Sequence, residues 1–313
     1  MSAFNPSFPA ISPLDKQSFG NNHMVAARHY YMDLSTDFKQ KALIGYVDVT
    51  FEALTDKPSF VVLDTRNLVI KQVKFLYKKH HKHHEDTLNE QQKQEHELNS
   101  KVFSKEEVKQ EGFPPVYGEP LYISLIHEAF ELNTGNFFVV RVFFETTSES
   151  EAIQWLNPEQ TLGKQYPYLF TQCQAIHARS FVPCQDTPSN KITYSATIRT
   201  EKPLVAAMSA IKKWEDNTSH NNVFHFEQNV TIPSYLIALV VGALECKQIG
   251  PRSSLYCEKE SIEAAAFEFS QTEDFIKAAE DFLPPYSWGT YDLVVQPGSY
   301  PFGGMVCFFI LCY

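Results

Sequence analysis

The chain has 313 residues, 43% of them hydrophobic, which is enough for one large or two ordinary domains with a sizeable core. A formal net charge of −10 argues against a nucleic-acid partner, because such binding rests on clustered Lys and Arg. Residues 1–22 show no basic start followed by an apolar run, so no secretory signal peptide is predicted. We therefore expect a cytoplasmic protein. We also expect no transmembrane segment, since the longest apolar run, Tyr235–Leu244, is only half as long as a membrane-spanning helix.

Most of the chain from Ala27 to Leu244 is predicted to be β-structure. Between Ala27 and Tyr77 the residues predict three or four antiparallel strands, with alternating apolar and polar residues at Tyr46–Glu52 and further strands at Phe60–Leu63 and Leu68–Leu76. Further strands are predicted at 121–126, 137–144, 191–199, 223–230 and 235–244. Short strands at this spacing favour a sandwich of antiparallel sheets.

A polar stretch rich in Lys, His, Glu and Gln follows at about 78–112. We interpret it as a solvated insertion or a polar helix that carries no part of the fold. Its histidines could hold a divalent metal at i and i+4 if they were helical, but adventitious affinity of an exposed segment is the favoured explanation. These histidines are His80, His81, His83 and His84.

The pattern changes to helical spacing over Ser261–Phe282, which predicts a pair of helices that ends at Pro284. A strand at Tyr291–Val295 and a Pro/Gly loop at Gln296–Met305 follow. We therefore predict a domain boundary near Cys246–Pro251.

Cysteine and histidine chemistry is weakly indicated. The six cysteines include no C-x-x-C pair and are predicted to be free thiols. Cys173 with His177 is a remote candidate for a cysteine hydrolase, although a buried hydrogen-bonded turn is the favoured interpretation of 166–188. Three His-Glu dipeptides occur, at His84, His96 and His127, and none is followed by the second His of a zinc-peptidase motif.

Several long motifs carry a resemblance to a known family. They are Trp155–Thr161, Tyr168–Arg179, Pro183–Pro188, Tyr235–Glu245, Gln248–Arg252, Tyr286–Leu293 and Pro301–Met305. Together they resemble the leukotriene A(4) hydrolase-like zinc aminopeptidases, which belong to the gluzincin type. The resemblance extends from about Ala27 to Met305, less the polar insertion.

The resemblance implies a saddle-shaped antiparallel β-sandwich followed by the truncated start of a thermolysin-like α/β catalytic domain. The predicted domains are an N-terminal extension at 1–26, the β domain at 27–247, the beginning of the zinc peptidase domain at 248–305 and an aberrant apolar tail at 306–313. The family's length is about twice that of this chain.

The resemblance also implies two substrate-binding stretches. The first is Gln172, Cys173 and Gln174, and the second is Pro301, Phe302, Gly303, Gly304 and Met305. In the family a Glu follows this Met and holds the amino terminus of the substrate, but here the next residue is Val306. The hydrolase also has Tyr where this chain has Phe302, which removes one hydroxyl group.

No residue of this chain matches the family's zinc ligands or its catalytic groups, so we expect no cofactor in this chain and no catalysis by it alone. The favoured hypothesis is an N-terminal fragment or short form of an aminopeptidase that removes N-terminal residues from peptides, with lipid epoxide hydrolysis as a further family activity. The alternative is a non-enzymatic module that binds peptides or pairs with a full-length relative.

Overall fold

The computed structural model describes residues 11–76, 95–97, 100–102, 115–126, 131–218, 220–302, 305–307 and 310–312. Within these residues β-strands predominate, and they form four sheets. Two short helices lie near the C-terminal end of the described chain. The four sheets divide into a sandwich and a separate mixed sheet.

The largest sheet has eight strands in the order β13-β14-β11-β1-β2-β8-β4-β5. Its strands are β1 (Val25–Asp37), β2 (Ala42–Ala53), β4 (Leu68–Leu76), β5 (Glu95–Glu97), β8 (Phe137–Thr146), β11 (Lys191–Glu201), β13 (Ile211–Asp216) and β14 (Asn221–Pro233). All neighbours are antiparallel except β1 and β11, which run parallel. A mainly antiparallel sheet of this kind can bury one face and expose the other.

Strand β2 shows why one face of this sheet is buried. Val47, Val49 and Phe51 are fully buried, whereas Tyr46 and Asp48 lie on the opposite face. Successive side chains of a strand point to opposite faces, so the alternation read from the sequence places one apolar row in the core. The predicted strand at Tyr46–Glu52 is thereby confirmed and extended at both ends.

Two smaller sheets complete the sandwich. The four-stranded sheet, in the order β12-β15-β10-β9, consists of β9 (Ile153–Leu156), β10 (Tyr168–Thr171), β12 (Val205–Met208) and β15 (Leu239–Gly242). The three-stranded sheet, in the order β3-β7-β6, consists of β3 (Phe60–Leu63), β6 (Ser100–Val102) and β7 (Leu121–Ser124). One continuous core includes Phe51 of the large sheet together with Val61 of β3 and Leu169 of β10. This shared core confirms the predicted β-sandwich.

The architecture changes after β15. A five-stranded mixed sheet, in the order β16-β17-β18-β20-β19, consists of β16 (Leu244–Gln248), β17 (Ser253–Glu258), β18 (Tyr291–Val294), β19 (Met305–Cys307) and β20 (Ile310–Cys312). The parallel strands β17 and β18 are connected through helices α1 (Ile262–Glu268) and α2 (Thr272–Glu280). Parallel neighbours need such a crossover. The predicted helix pair and the start of an α/β region are confirmed.

Two sequence predictions differ from the structure. Tyr235–Leu244 is not one strand, because a tight turn at Ser234–Leu236 precedes β15 and Leu244 begins β16. An apolar run shows burial without showing where the backbone turns. The polar stretch contributes β5 and β6 to sheet edges, so the prediction that it carries no part of the fold is wrong for these six residues. The tail contributes β19 and β20 to the mixed sheet.

Residues 11–24, placed by the sequence in an N-terminal extension, are packed into the sandwich. The Asn21 side chain donates to the Phe60 carbonyl at 3.0 Å, and the Asn22 side chain donates to the Ser189 hydroxyl at 3.0 Å. Phe19 is 1% exposed. This segment therefore packs against the sandwich that it precedes.

A buried arginine joins distant parts of the sandwich. The guanidinium of Arg179 is fully buried, and its Nε lies 3.0 Å from Oδ2 of Asp186. Its Nη1 lies 3.8 Å from Oδ1 of Asp64 and donates to the Tyr117 carbonyl at 2.7 Å, while Nη2 donates to the Gln17 carbonyl at 2.9 Å. One side chain thus connects four separate segments.

The two carboxylates of this cluster have their own hydrogen bonds. Asp64 accepts from the Ser18 hydroxyl at 2.6 Å and from the Phe19 amide at 2.7 Å, and Asp186 accepts from the Ser234 hydroxyl at 2.7 Å. Burial raises the pKa of Asp64, although Arg179 opposes the shift. Burial also opposes the charge of Arg179, but the two carboxylates outweigh it and raise its pKa. The ionised forms of these buried side chains are therefore stabilised by their ion-pair and hydrogen-bond partners.

Replacing Arg179 by Met tests this dependence. We expect the free energy of unfolding to fall by about 3–5 kcal/mol, because two buried carboxylates lose their counter-ion. Urea denaturation measures the change. Arg199→Met is the control, since Arg199 pairs with Asp33 at a partly exposed position and is expected to cost at most about 1 kcal/mol. An equal fall in the free energy of unfolding for the two variants would contradict the role of Arg179 as counter-ion of two buried carboxylates.

Asp292, in the mixed sheet, is a further carboxylate whose ionised form is disfavoured by burial. Asp292 lies on β18 opposite Ser254 of β17, where burial raises its pKa from 3.8 to about 6. Hydrogen bonds from Ser254 and the charge of Lys212 oppose the shift without cancelling it. The folded chain therefore binds this proton more tightly than the unfolded chain, so stability falls as pH rises from about 4 to about 6.

Asp292→Asn is accordingly expected to stabilise the protein at pH 7.5 by about 1–2 kcal/mol. The amide keeps an acceptor for Ser254 and carries no charge to desolvate. The gain is expected to vanish below about pH 3, where the carboxyl is mostly protonated in both the folded and the unfolded chain. Urea denaturation at the two pH values measures it, with Asp274→Asn on the exposed side of α2 as control. A gain that is independent of pH would refute the electrostatic cause.

Candidate functional site: the turn after strand β10

Strand β10 positions the first predicted substrate-binding stretch. All four of its residues are buried between β9 and β15. At its end the Thr171 hydroxyl accepts the Leu239 amide at 2.8 Å, which fixes the point where the chain leaves the sheet. Gln172, Cys173 and Gln174 follow directly.

The backbone of the following turn is hydrogen-bonded. The Gln172 amide donates to the Ala152 carbonyl at 2.8 Å, and the His177 amide donates to the Cys173 carbonyl at 2.9 Å. The Gln174 amide donates to Oε1 of Gln172 at 3.2 Å. The predicted hydrogen-bonded turn is present, but it is not buried throughout, because Gln174 is exposed and Gln172 is partly buried.

The three predicted residues of this stretch differ in accessibility. Gln174 is exposed and Gln172 is partly buried, whereas Cys173 is 1% exposed and belongs to the main core. Only the two glutamine side chains can therefore meet a ligand, and Cys173 can do so only through its backbone. A thiol buried to this extent is not accessible to a substrate, which argues against a cysteine hydrolase.

Aromatic contacts place the second predicted stretch beside strand β10, which precedes the first stretch. The ring of Tyr300 packs edge-on against Phe170 at a centroid distance of 4.9 Å and against Phe302 at 5.4 Å. Phe170 is two residues before Gln172, and Phe302 is 43% exposed. These contacts thus join the second stretch to strand β10, at whose end the first stretch begins.

The structure describes only part of the second stretch. Pro301 is exposed, like Phe302, and Met305 begins β19, for which only the backbone is described. Gly303 and Gly304 lie outside the described residues. The Ser299 hydroxyl donates to the Gln160 carbonyl at 3.0 Å and ties the loop to the residues that follow β9.

Sequence reasoning missed the contacts that hold this site. Glu151 pairs with Arg66 and lies 3.3 Å from Nδ1 of His177, so a carboxylate lies beside the turn. Phe170 and Tyr300 join the two stretches, yet neither was singled out. A usable signal was present, because each aromatic residue lies within two positions of a predicted site residue. Nothing in the sequence placed Glu151 beside His177.

The described residues do not fit the zinc ion that the resemblance implies. They contain no group of three or more His, Cys, Asp and Glu side chains that could hold a metal. The histidines at 80–84 fall outside the described residues. Within the part of the chain that is described, no helix is both long and apolar enough to cross a membrane. The four cysteines with described side chains are free thiols, namely Cys173, Cys184, Cys246 and Cys257.

Comparison with known proteins agrees with this architecture. Residues 26–236 match the peptidase M1 N-terminal domain. Leukotriene A-4 hydrolase of Xenopus laevis is 40% identical over 294 residues, which are 93% of this chain and 44% of that protein. Leucine aminopeptidase 2 of Kluyveromyces lactis is 36% identical over 299 residues, which are 95% of this chain and 40% of that protein.

The solved structure of native yeast LTA4 hydrolase is also similar, with a TM-score of 0.79 and 34% identity. The match covers 97% of this chain and 43% of that one, so the chain spans less than half the length of these relatives. The resemblance seen in the sequence motifs is confirmed. The chain therefore belongs to the M1 peptidase family and corresponds to the N-terminal part of leukotriene A-4 hydrolase-like aminopeptidases.

Proposed function

We propose that this chain supplies the N-terminal, substrate-facing part of a zinc aminopeptidase of the M1 family, and that these 313 residues alone do not hydrolyse peptides. The parent activity would be removal of N-terminal residues from peptides, with hydrolysis of a lipid epoxide as a further possibility. The proposal includes the domain bounds 27–247 and 248–305. The hairpin of β16 and β17 lies across the second bound.

The observation that carries the proposal is the aromatic contact between strand β10, which leads into the first candidate stretch, and Tyr300, which adjoins the second. Phe170, Tyr300 and Phe302 form one continuous row from the end of β10 to the loop after β18. Two stretches that are distant in sequence would thus form one wall of a peptide-binding cleft. Such a wall orients a substrate for groups supplied by other residues.

The side chains of this wall suit a peptide. The amide groups of Gln172 and Gln174 can each donate and accept, which matches the alternating N–H and C=O groups of a peptide backbone. The exposed ring of Phe302 offers apolar area for a side chain. None of these groups is a nucleophile or a general base, so the wall binds and orients a substrate.

We identify no set of zinc ligands in the sequence motifs or among the described residues. In the sequence none of the three His-Glu dipeptides has the second His of the motif, and the described residues hold no metal-binding cluster. We therefore assign no catalytic step to these residues.

Hydrolysis of leucine p-nitroanilide by the purified chain tests this part of the proposal. We expect no turnover above the blank in zinc-containing buffer, and no stoichiometric zinc by inductively coupled plasma mass spectrometry. Full-length yeast LTA4 hydrolase serves as the positive control for the assay. Chelator-sensitive turnover together with one zinc per chain would contradict it.

A second candidate function is a non-enzymatic module that binds peptides or pairs with a full-length relative. The exposure of Gln174 beside a fixed turn favours peptide binding, because a binding surface needs accessible polar groups on a rigid support. In this chain Val306 stands where the family has the Glu that holds the ammonium group of the substrate. Any peptide binding would therefore rest on the glutamines and the apolar wall.

Isothermal titration with a tetrapeptide tests the binding module. We expect Gln174→Ala and Phe302→Ala each to weaken binding by roughly five- to tenfold, through a lost hydrogen bond or lost apolar contact. Gln40→Ala, at an exposed turn on the large sheet, is the matched control. Acetylation of the peptide's amino group is expected to change the affinity by less than about twofold, because an exposed ammonium without a carboxylate partner contributes little. Strong dependence on the free amine would show that another acidic group binds it.

A further inference from the structure

The loop between β9 and β10 binds a carboxylate of the mixed sheet. This β9–β10 loop spans residues 157–167, and Glu258 is the last residue of β17. Both carboxylate oxygens of Glu258 accept the Leu162 amide at 3.0 Å, and Oε1 also accepts the Gly163 amide at 3.3 Å. Glu258 is 5% exposed. A carboxylate of the α/β region is thus buried against main-chain donors of the sandwich.

Hydrogen bonds within the β9–β10 loop fix the position of these two amides. The Thr161 hydroxyl donates to the Pro158 carbonyl at 2.8 Å and accepts the Lys164 amide at 3.2 Å. Lys164 has a φ of 52°, which is a left-handed conformation. Turns with such a residue can direct successive amides at one point and so bind an anion. In this chain the bound anion is the side chain of Glu258.

Further contacts join the same part of the sandwich to the mixed sheet. The Ser299 hydroxyl, in the loop after β18, donates to the Gln160 carbonyl at 3.0 Å. The two regions also share an apolar cluster, which includes Tyr168 of β10, Tyr256 of β17 and Val294 of β18. Polar and apolar contacts therefore bind the β9–β10 loop and β10 to the mixed sheet.

The polar contact of Glu258 differs from the apolar cluster in what it can fix. Apolar contact is non-directional, so the cluster favours association of the two regions without selecting one position. Hydrogen bonds to a carboxylate are directional and roughly twice as strong as neutral ones. A buried carboxylate without donors would be costly. Glu258 therefore favours the one arrangement in which both amides reach it.

Neighbouring strands connect Glu258 to the candidate site. Strand β17 pairs with β18, and the Val295 amide, directly after β18, donates to the Tyr256 carbonyl at 2.9 Å. Tyr300 follows in the same loop and packs against Phe170 of β10. A movement of β17 relative to the β9–β10 loop would thus move Tyr300 relative to Phe170.

We infer that Glu258 is a positioning residue for the candidate site. Its carboxylate, bound by the amides of Leu162 and Gly163, fixes the α/β region against the sandwich and so sets where the loop after β18 lies beside β10. We call this interaction the Glu258 contact. The contact itself is independent of the proposed function, whereas its effect on peptide binding rests on that proposal.

Residue-resolved hydrogen exchange of the full chain tests the Glu258 contact. In Glu258→Ala the amides of Leu162 and Gly163 are expected to lose at least roughly tenfold in protection, because both lose a charged acceptor. The Tyr300 amide, which donates to the Pro297 carbonyl at 2.8 Å, is expected to lose at least about threefold, because its loop is no longer held. The amides of β1 and β2 report global unfolding, and their loss is expected to be smaller.

Two further variants separate the Glu258 contact from packing and from general charge. Glu258→Gln keeps the shape of the side chain and one acceptor oxygen without the charge, so its loss of protection at Leu162 is expected to lie between wild type and Glu258→Ala. Glu260→Ala removes an exposed carboxylate beside Gly163 and is expected to change protection by less than about twofold.

Isothermal titration with the tetrapeptide tests the effect on the candidate site. Glu258→Ala is expected to weaken binding by at least roughly threefold, because the two sides of the peptide-binding wall are no longer held in one position. If the unaltered chain bound no peptide, the proposed function would fail, while hydrogen exchange would still decide whether the Glu258 contact positions the loop.

Three results would overturn the inference. The first is wild-type protection of Leu162 and Gly163 in Glu258→Ala, or an equal loss in Glu260→Ala. The second is a loss at Leu162 and Gly163 with no change at Tyr300, because the carboxylate would then hold only the β9–β10 loop. The third is an unchanged peptide affinity in Glu258→Ala when the unaltered chain binds the peptide.

Discussion

The buried guanidinium of Arg179 is the interaction on which the sandwich and its candidate site both depend. It neutralises Asp64 and Asp186, whose side chains are buried, and it also donates hydrogen bonds to the carbonyls of Tyr117 and Gln17. Each buried charge would be costly alone. Because its partners come from four segments, the position of Arg179 is fixed only when all of them are folded.

The ion cluster also stabilises the candidate site, because Arg179 lies at the end of the turn that begins with Gln172. Strand β10 holds the start of the turn, and the buried ion cluster holds its end. The exposed residues between them, Gln174 foremost, therefore stand on a rigid support. Tyr300 packs against Phe170 of β10, which places the loop after β18 beside the strand that leads into this turn.

Local pattern predicted most of the fold but few of the contacts that hold the site. The alternation of apolar and polar residues and the flanking turn residues predicted strands at Phe60–Leu63 and Leu68–Leu76 with the bounds that the structure has. Local pattern was sufficient here because each strand buries its own apolar residues in the core. The run Tyr235–Leu244 was read as one strand because burial alone does not reveal a turn. The pairing of Arg179 with Asp64 depends on tertiary packing, which no local pattern contains. The candidate site came from family resemblance, and its rigid support only from the structure.

Native-state hydrogen exchange of the amides of His177, Arg179 and Ser180 is the most direct measurement of this account. If the cluster fixes the turn, these amides exchange only through global unfolding, with opening free energies close to that of the whole sandwich. Exchange within seconds at neutral pH, while the amides of β1 and β2 remain protected, would show that the turn opens on its own. The buried ion pairs would then not be what holds the site.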